Sequence, residues 1–163
     1  MAREIPRLRR YALALINDPE QADDLVQDCL ERAIRKRHQW RRHGSIRSWL
    51  YRILYSVFVN QSARRNRDRR TLTLEQSPAL PSAPAAQEHR LACHDIAEAM
   101  ARLPAEQRAA LALTAIEGLA YDEAAGVLGI PIGTLRSRLA RARDTLRTLH
   151  EPLPQSAVLR RVK

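Results

Sequence analysis

The 163-residue chain is poor in the residue types that build sheets, metal sites and membrane spans. Aromatic residues make up 4% of it and glycines number 5, which argues against a sandwich or barrel with many turns. Cys29 and Cys93, the two cysteines, lack the clustered ligands of a zinc site and fall within helical periodicity, which favours buried thiols. The longest apolar run, Ala109–Ile116, is too short to span a bilayer, and no apolar signal core opens the chain. We expect an all-α cytoplasmic protein without membrane insertion.

Lysine is also scarce, since Lys36 and Lys163 are the two lysines among 28 basic residues. With 18 acidic residues the net charge is +10, carried almost wholly by arginine, whose planar fork suits phosphate oxygens and guanine edges. The arginines concentrate in residues 64–70 and 136–147. Two basic surfaces on separate segments suggest a polyanion contacted at two places, and a solvated basic face is the plainer alternative.

Helical periodicity organises the first segment, to about residue 65. Asp18-Pro19 predicts a helix start, with Asp as N-cap and Pro at the first helical position, and Ser45 can cap a further helix. Tyr51 and Tyr55 lie off the apolar stripe of that further helix or at its margin, so we expect them at the surface or boundary. The apolar faces of the three helices consist of Leu8, Tyr11, Ala12, Leu15 and Ile16; Leu25, Val26, Cys29, Leu30, Ala33 and Ile34; and Ile46, Trp49, Leu50, Ile53, Leu54, Val57 and Phe58.

Prolines at 78, 81 and 84, among Ser, Ala and Thr, predict a mobile linker between two small helical domains. Beyond it, residues 121–139 read as two helices joined by a turn at Gly129, which can take the left-handed conformation. The second helix would bury Ile132, Leu135, Leu139, Ala142 and Leu146 and turn its polar and basic side chains outward. This pattern predicts a helix-turn-helix, with an ordinary αα-hairpin as the alternative.

Two motifs resemble bacterial sigma factors of the extracytoplasmic-function (ECF) group, in the sigma-70 family. Asp18-Pro-Glu-Gln-Ala-Asp-Asp-Leu-Val-Gln-Asp and Ser48-Trp-Leu-Tyr-Arg-Ile resemble region two, and Leu103-Pro-Ala-Glu-Gln-Arg with Leu128-Gly-Ile-Pro-Ile-Gly-Thr-Leu-Arg-Ser-Arg-Leu resembles region four. The resemblance predicts region two over residues 1–68, a linker over 69–90, region four over 91–150 and a tail over 151–163.

The resemblance implies a non-enzymatic subunit, without cofactor or metal, that binds core RNA polymerase and promoter DNA and is controlled by an anti-sigma factor. Region two would bind the β′ clamp helices of the polymerase, and region four the β flap. The residues implied for polymerase binding are Asp24, Gln27, Asp28, Glu31 and Arg32.

For promoter DNA, the resemblance implies two sets of contacts. The minus-ten set comprises Arg47, Ser48, Arg52, Asn60, Arg64 and Arg65, with the loop at 41–45. The minus-thirty-five set comprises Thr134, Arg136, Ser137, Arg138 and Arg141, of which the first four are the candidates for base edges and Arg141 for the backbone. Trp49 lies on the apolar stripe, so a core position is favoured over base stacking.

Two other functions compete with this interpretation. A free-standing helix-turn-helix regulator would bind its duplex without polymerase and would use the N-terminal segment for ligand sensing or dimerisation. A nucleic-acid enzyme would need a metal site, a phosphate-binding loop or a nucleophile elbow, and the scattered histidines and few glycines offer none of these patterns.

Overall fold

The computed structural model describes residues 2–40, 45–71 and 97–150, and every regular element in these ranges is helical. This confirms the predicted all-α class. The predicted linker beyond Thr71, Cys93, the loop at 41–44 and the tail at 151–163 lie outside the described residues. The α-helices are α1 (Ile5–Ile16), α2 (Pro19–Arg35), α3 (Ile46–Thr71), α4 (97–102), α5 (Ala105–Leu111), α6 (Tyr121–Leu128) and α7 (Ile132–His150), with short 3₁₀ turns at Ala2–Glu4 and Arg37–Gln39 and a π-helical turn at Ala112–Ile116.

The helix starts in the first half follow the predicted capping chemistry. The Asp18 carboxylate accepts a hydrogen bond from the Gln21 backbone N–H at 3.0 Å, and Pro19 occupies the first helical position. That backbone hydrogen bond, followed by one from the Gln21 side chain, lowers the pKa of Asp18. At the start of α3, Ser45 Oγ accepts from the Arg47 N–H at 3.2 Å. Both predicted caps are confirmed.

The predicted apolar faces form the core with a few exceptions. Ile34 and Ile132 are 56% and 41% exposed, because Ile34 lies in the last turn of α2 and Ile132 is the first residue of α7, where fewer neighbouring turns cover a side chain. Tyr51 differs in the other direction. We expected it at the surface or boundary, but it is fully buried, with its ring 5.2 Å from that of Tyr11 in a T-shaped contact.

Two glycines in the left-handed conformation fix the path of the second half. Gly118 has φ +66° and follows the π-helical turn, and Gly129 has φ +67° and ends α6, as predicted. α7 then buries Leu135, Leu139 and Ala142 against the preceding helices. The α6–turn–α7 unit is therefore the predicted helix-turn-helix.

One hydrophobic core runs through both halves of the described chain. α3 packs against α6, and α1 packs against α5 and the π-helical turn. Buried residues from the first half (α1–α3) and from the second half (α5–α7 with the π-helical turn) therefore form a single cluster. This packing brings the start of α3 directly against the second half, while the end of α3 extends beside α2.

Candidate nucleic-acid and partner interfaces

The polar face of α2 and the second half of α3 enclose an open groove of about 450 Å³. Apolar residues of α2 pack inward, so its carboxylates and amides remain on the outside. The seven lining residues are Gln21, Asp24, Gln27, Asp28, Gln61, Arg64 and Arg65. They include three of the five residues predicted to bind polymerase and two of those predicted to bind minus-ten DNA.

The groove has an acidic wall on α2 and a basic wall on α3. Gln61 donates to Asp28 at 2.8 Å and Arg65 donates to Gln21 at 2.6 Å, so the two walls are joined by side-chain hydrogen bonds. Glu31, the fourth predicted polymerase contact, is exposed one turn beyond Gln27 and pairs with Arg35 at 3.3 Å. Arg32, the fifth, is half-buried. An acidic surface beside a basic one can bind a protein and a nucleic acid side by side.

The predicted minus-ten residues fall into two groups along α3. Asn60, Arg64 and Arg65 are exposed on its second half. Arg47 and Ser48 are half-buried at its first turn, and Arg52 follows within the next turns. The structure therefore does not gather the six residues into one surface.

Two residues near the start of α3, Arg47 and Arg52, donate to backbone carbonyls of the second half of the chain. The Arg47 guanidinium donates to the Glu117 carbonyl and lies 5.8 Å from the centre of the Tyr51 ring. The Arg52 guanidinium donates to the Gly126 carbonyl at 2.9 Å. A side chain at position 126 would have its Cβ 3.7 Å from Nη2 of Arg52, an ordinary van der Waals distance.

Glu117 is a residue that sequence reasoning missed. It is the one charged residue classed as buried in the described ranges, and its side chain has no exposed area. Its carboxylate accepts two bonds from Arg10, at 3.0 and 3.2 Å, and one from the Tyr51 hydroxyl. The Arg10–Glu117 bond raises the pKa of Arg10. Burial, followed by the bond from the Tyr51 hydroxyl to Glu117, raises the pKa of Tyr51.

A sequence signal for Glu117 did exist. The residue stands at a helix end immediately before Gly118, where the helix dipole favours cations and disfavours carboxylates. An acid at such a position is stabilised by basic or hydroxyl partners from elsewhere in the fold. Here Arg10 and Tyr51, both from the first half, supply them.

On α7 the predicted minus-thirty-five residues are also divided. Arg136, Ser137 and Arg141 are exposed, whereas Thr134 is half-buried. The Arg138 side chain is 18% exposed and pairs with Glu106 of α5 at 2.6 Å. We expected Arg138 to point away from the core with the others, but its position on the flank of α7 turns it toward α5 and toward Tyr55.

The remaining candidate residues, Trp49, Tyr55 and Cys29, lie in the hydrophobic core or pack against it. Trp49 packs against the core, as favoured, with its ring 6.4 Å from that of Trp40. Tyr55 is half-buried beside Phe58, and burial raises its pKa. The buried Cys29 thiol lies 3.6 Å from the Leu50 carbonyl, and burial raises its pKa to about 12. This confirms the buried thiol predicted for Cys29.

Within the ranges 2–40, 45–71 and 97–150, no three His, Cys, Asp or Glu side chains come together in a way that would hold a metal ion. In the same ranges no helix combines the length and the apolar character needed to cross a membrane.

Two family models match the chain, one in each half. Residues 1–55 match the Sigma2 domain of PhyR, and residues 93–146 match Sigma-70, region 4. The two matches lie in the predicted order and on either side of the predicted linker.

Individual relatives agree with the family models. The ECF RNA polymerase sigma factor EcfG of Rhodopseudomonas palustris is 33% identical over 145 residues, covering 89% of this chain and 80% of the relative. SigC of Mycobacterium tuberculosis is 36% identical over 144 residues, covering 86% and 76%. The sigma factor RpoE of Bartonella quintana, solved in complex with the anti-sigma factor NepR, superposes with a TM-score of 0.72 at 32% identity, over 89% of this chain and 90% of that one. The chain belongs to the extracytoplasmic-function group of RNA polymerase sigma factors.

Proposed function

We propose that this protein is an alternative sigma subunit that binds core RNA polymerase in the cytoplasm and directs it to its own promoters. The observation that carries the proposal is the arrangement of three outward surfaces on one chain. They are the acidic wall of the α2–α3 groove, the basic second half of α3, and the exposed arc of α7. Transcription initiation needs a polymerase-binding surface and separate surfaces for two promoter elements, and these three surfaces can meet that requirement.

The polymerase would dock on α2. Asp24, Gln27 and Asp28 line the groove, and Glu31 continues the same polar face. Because these side chains lie on the outward side of a helix whose other side is buried, they can bind a partner without disturbing the core. We assign this face to the clamp helices of the polymerase β′ subunit, with the second half docking on the β flap.

The promoter would contact α3 and α7. Exposed arginines at the end of α3 suit the phosphates of a melted strand, and Asn60 lies on the same stretch of helix. On α7, Arg136 and Ser137 lie near the helix start, where a recognition helix reads base edges, and Arg141 one turn later suits the backbone. We assign α3 to the minus-ten element and α7 to the minus-thirty-five element.

We further infer that an anti-sigma factor controls this protein. Support comes from the structural relatives, since the B. quintana sigma factor was solved with the anti-sigma factor NepR and the sigma factor CnrH with the cytosolic domain of CnrY. The CnrH structure is 28% identical and has a TM-score of 0.65.

Run-off transcription tests the proposed function. Purified core polymerase and a library of promoter fragments are incubated with and without the protein. We expect specific transcripts that depend on the protein, and aligning their upstream sequences yields both promoter elements. Tight duplex binding by the protein alone, without new transcripts, would instead identify a free-standing helix-turn-helix regulator.

A further inference from the structure

The carboxylate of Glu117 joins the two halves of the chain. It belongs to the second half, just after the π-helical turn, yet the Arg10 and Tyr51 bonds to its carboxylate come from α1 and α3 of the first half. The carbonyl of the same residue accepts from Arg47, which makes Glu117 the meeting point of three side chains from the other half.

A buried carboxylate favours the packed form when all its partners are in place. Removing a charged group from water is costly, and the cost is offset when the group is paired and hydrogen-bonded. Truncating a partner leaves the carboxylate short of bonds while it stays buried, so the packed form is then penalised relative to a separated form in which water reaches Glu117. Closure of the two halves is therefore sensitive to each of the Glu117 contacts.

The same interface occupies arginines that the proposed function assigns to DNA. Arg47 and Arg52 are bonded to carbonyls of the second half. A guanidinium engaged in this way must give up its bond before it can bind a phosphate or a base edge. The packed form thus withholds two of the eleven residues assigned to promoter DNA, both from the minus-ten set, whereas the pairing of Arg138 with Glu106 lies within the second half.

We propose that Glu117, with Arg10 and Tyr51, forms a latch that closes the two halves of the free protein on each other and withholds Arg47 and Arg52 from DNA. The closure itself follows from the contacts of the latch. The statement that it withholds promoter contacts rests on the proposed function. Separation of the halves, as on a polymerase with two distant docking sites, would release both arginines together.

The chain offers a matched pair of variants for testing the latch. Arg9 and Arg10 are neighbours on α1, and each makes a two-bond ion pair, Arg10 with Glu117 and Arg9 with Asp23 of α2 at 2.6 and 2.9 Å. Arg10→Gln breaks a contact between the halves, whereas Arg9→Gln removes the same charge but breaks a contact inside the first half. Tyr51→Phe removes one hydroxyl from the latch and keeps the buried ring.

Opening is measured by single-molecule energy transfer in the full chain. Dyes are attached at Glu20→Cys on α2 and Thr148→Cys on α7, both exposed positions, in a Cys93→Ser background, while the buried Cys29 stays unlabelled. We expect about a tenfold larger open fraction for R10Q and Y51F than for the parent and R9Q, the shift expected when a hydrogen bond to a charged group is lost. Circular dichroism confirms that helix content is unchanged.

A DNA readout follows on the same variants without polymerase. Binding of a mixed-sequence single-stranded oligonucleotide and of a mixed-sequence duplex is measured by fluorescence anisotropy. We expect Y51F to bind both about tenfold more tightly than the parent, because the binding-competent fraction rises by that factor. For the same reason, R10Q should bind both DNAs about tenfold more tightly than R9Q.

The outcomes separate the latch from the proposed function. Equal open fractions in R10Q, Y51F and R9Q, or a parent that is already open, would overturn the latch even if the protein drives transcription. Opening without tighter DNA binding would overturn the withholding of the two arginines. Opening with tighter DNA binding, but no transcript with core polymerase, would uphold the latch and refute the sigma proposal.

Discussion

The two ends of α3 have the same residue types and opposite surroundings. At its start, Arg47 and Arg52 are bonded to carbonyls of the second half of the chain. At its end, Arg64 and Arg65 are exposed and line the groove beside α2, where Arg65 donates to Gln21 of the same half. The difference arises because α6 packs on α3 near its start, while its last turns extend beyond that contact. Residue type alone therefore does not decide which arginine of a helix is bonded to the other half of the chain.

The largest effect is expected beside the end of α3, on the acidic wall of the α2–α3 groove. The double substitution Asp24→Asn and Asp28→Asn should lower affinity for core polymerase by about ten- to a hundredfold, as charged interface residues often do. Melting temperature should stay unchanged, because both side chains are exposed. Surface plasmon resonance on immobilised core enzyme measures the affinity.

Asp23 supplies the control for that experiment. It neighbours Asp24 but faces α1, where it pairs with Arg9 outside the groove. Asp23→Asn should leave polymerase affinity within twofold of the parent, since exposed ion pairs contribute little. Equal losses for D23N and the double variant would point to a general charge effect and contradict a docking face on α2.

The exposed arc of α7 distinguishes base contacts from backbone contacts. Arg136→Ala should lower promoter affinity by about five- to a hundredfold and relax the preference at one position of the minus-thirty-five element. Arg141→Ala should weaken binding to all sequences similarly and reduce the slope of log affinity against log salt by about one. Holoenzyme binding to a set of point-mutated promoters, across a salt series, measures both.

Arg102 on α4 supplies the control for α7. It is exposed and carries the same charge, and it lies in a helix without an assigned DNA contact. Arg102→Ala should change neither the base preference nor the salt slope. If R136A and R141A proved indistinguishable from each other in both measurements, the assignment of Arg136 to a base edge would be wrong.

A smaller effect is expected at Gly126, where the bonded end of α3 meets α6. Gly126→Ala should raise the free energy of unfolding by about 1 kcal/mol, because alanine is the better helix former at an interior position. The added Cβ would lie 3.7 Å from Nη2 of Arg52, so no clash opposes the gain. Urea denaturation followed by circular dichroism measures the change, and a lower stability would show that the bond from Arg52 to the Gly126 carbonyl needs the glycine.

The smallest chemical response is expected from Cys29, beneath the α2–α3 contact. With a pKa of about 12 and a buried sulfur, its thiol should resist alkylation at about pH 8, where an exposed thiol with the ordinary pKa reacts readily. The folded state keeps the proton that the unfolded state loses, so this group lowers stability as pH rises from about 9 toward 12. Mass spectrometry of a Cys93→Ser variant, with and without urea, reports the modification, and rapid labelling of the folded protein would contradict the burial.

Local patterns in the sequence predicted the helices, the caps at Asp18 and Ser45, the turn at Gly129 and most of the core. These features depend on neighbours within a few residues of the chain, which is why periodicity and capping chemistry reveal them. The prediction that Ile34 and Ile132 are buried was wrong, because periodicity does not register how few turns pack around a helix end.

The long-range contacts could not be predicted in the same way. The bond of Tyr51 to Glu117, the bonds of Arg10 to Glu117 and the pairing of Arg138 with Glu106 join residues 66, 107 and 32 positions apart. They depend on how α3 packs against α6 and how α7 packs against α5, which no single motif encodes. The one local sign of the Glu117 contact was a carboxylate at the C-terminal end of a helix, where the helix dipole disfavours negative charge.

The most direct test of the account compares promoter binding by the free protein and by the reconstituted holoenzyme. A promoter fragment recovered from the run-off experiment is titrated with the protein alone, with core polymerase alone and with both together. The account predicts tight, sequence-specific binding with both together and weak binding by the protein alone, because polymerase supplies the docking sites that separate the halves and free Arg47 and Arg52. Equally tight specific binding by the protein alone would contradict it.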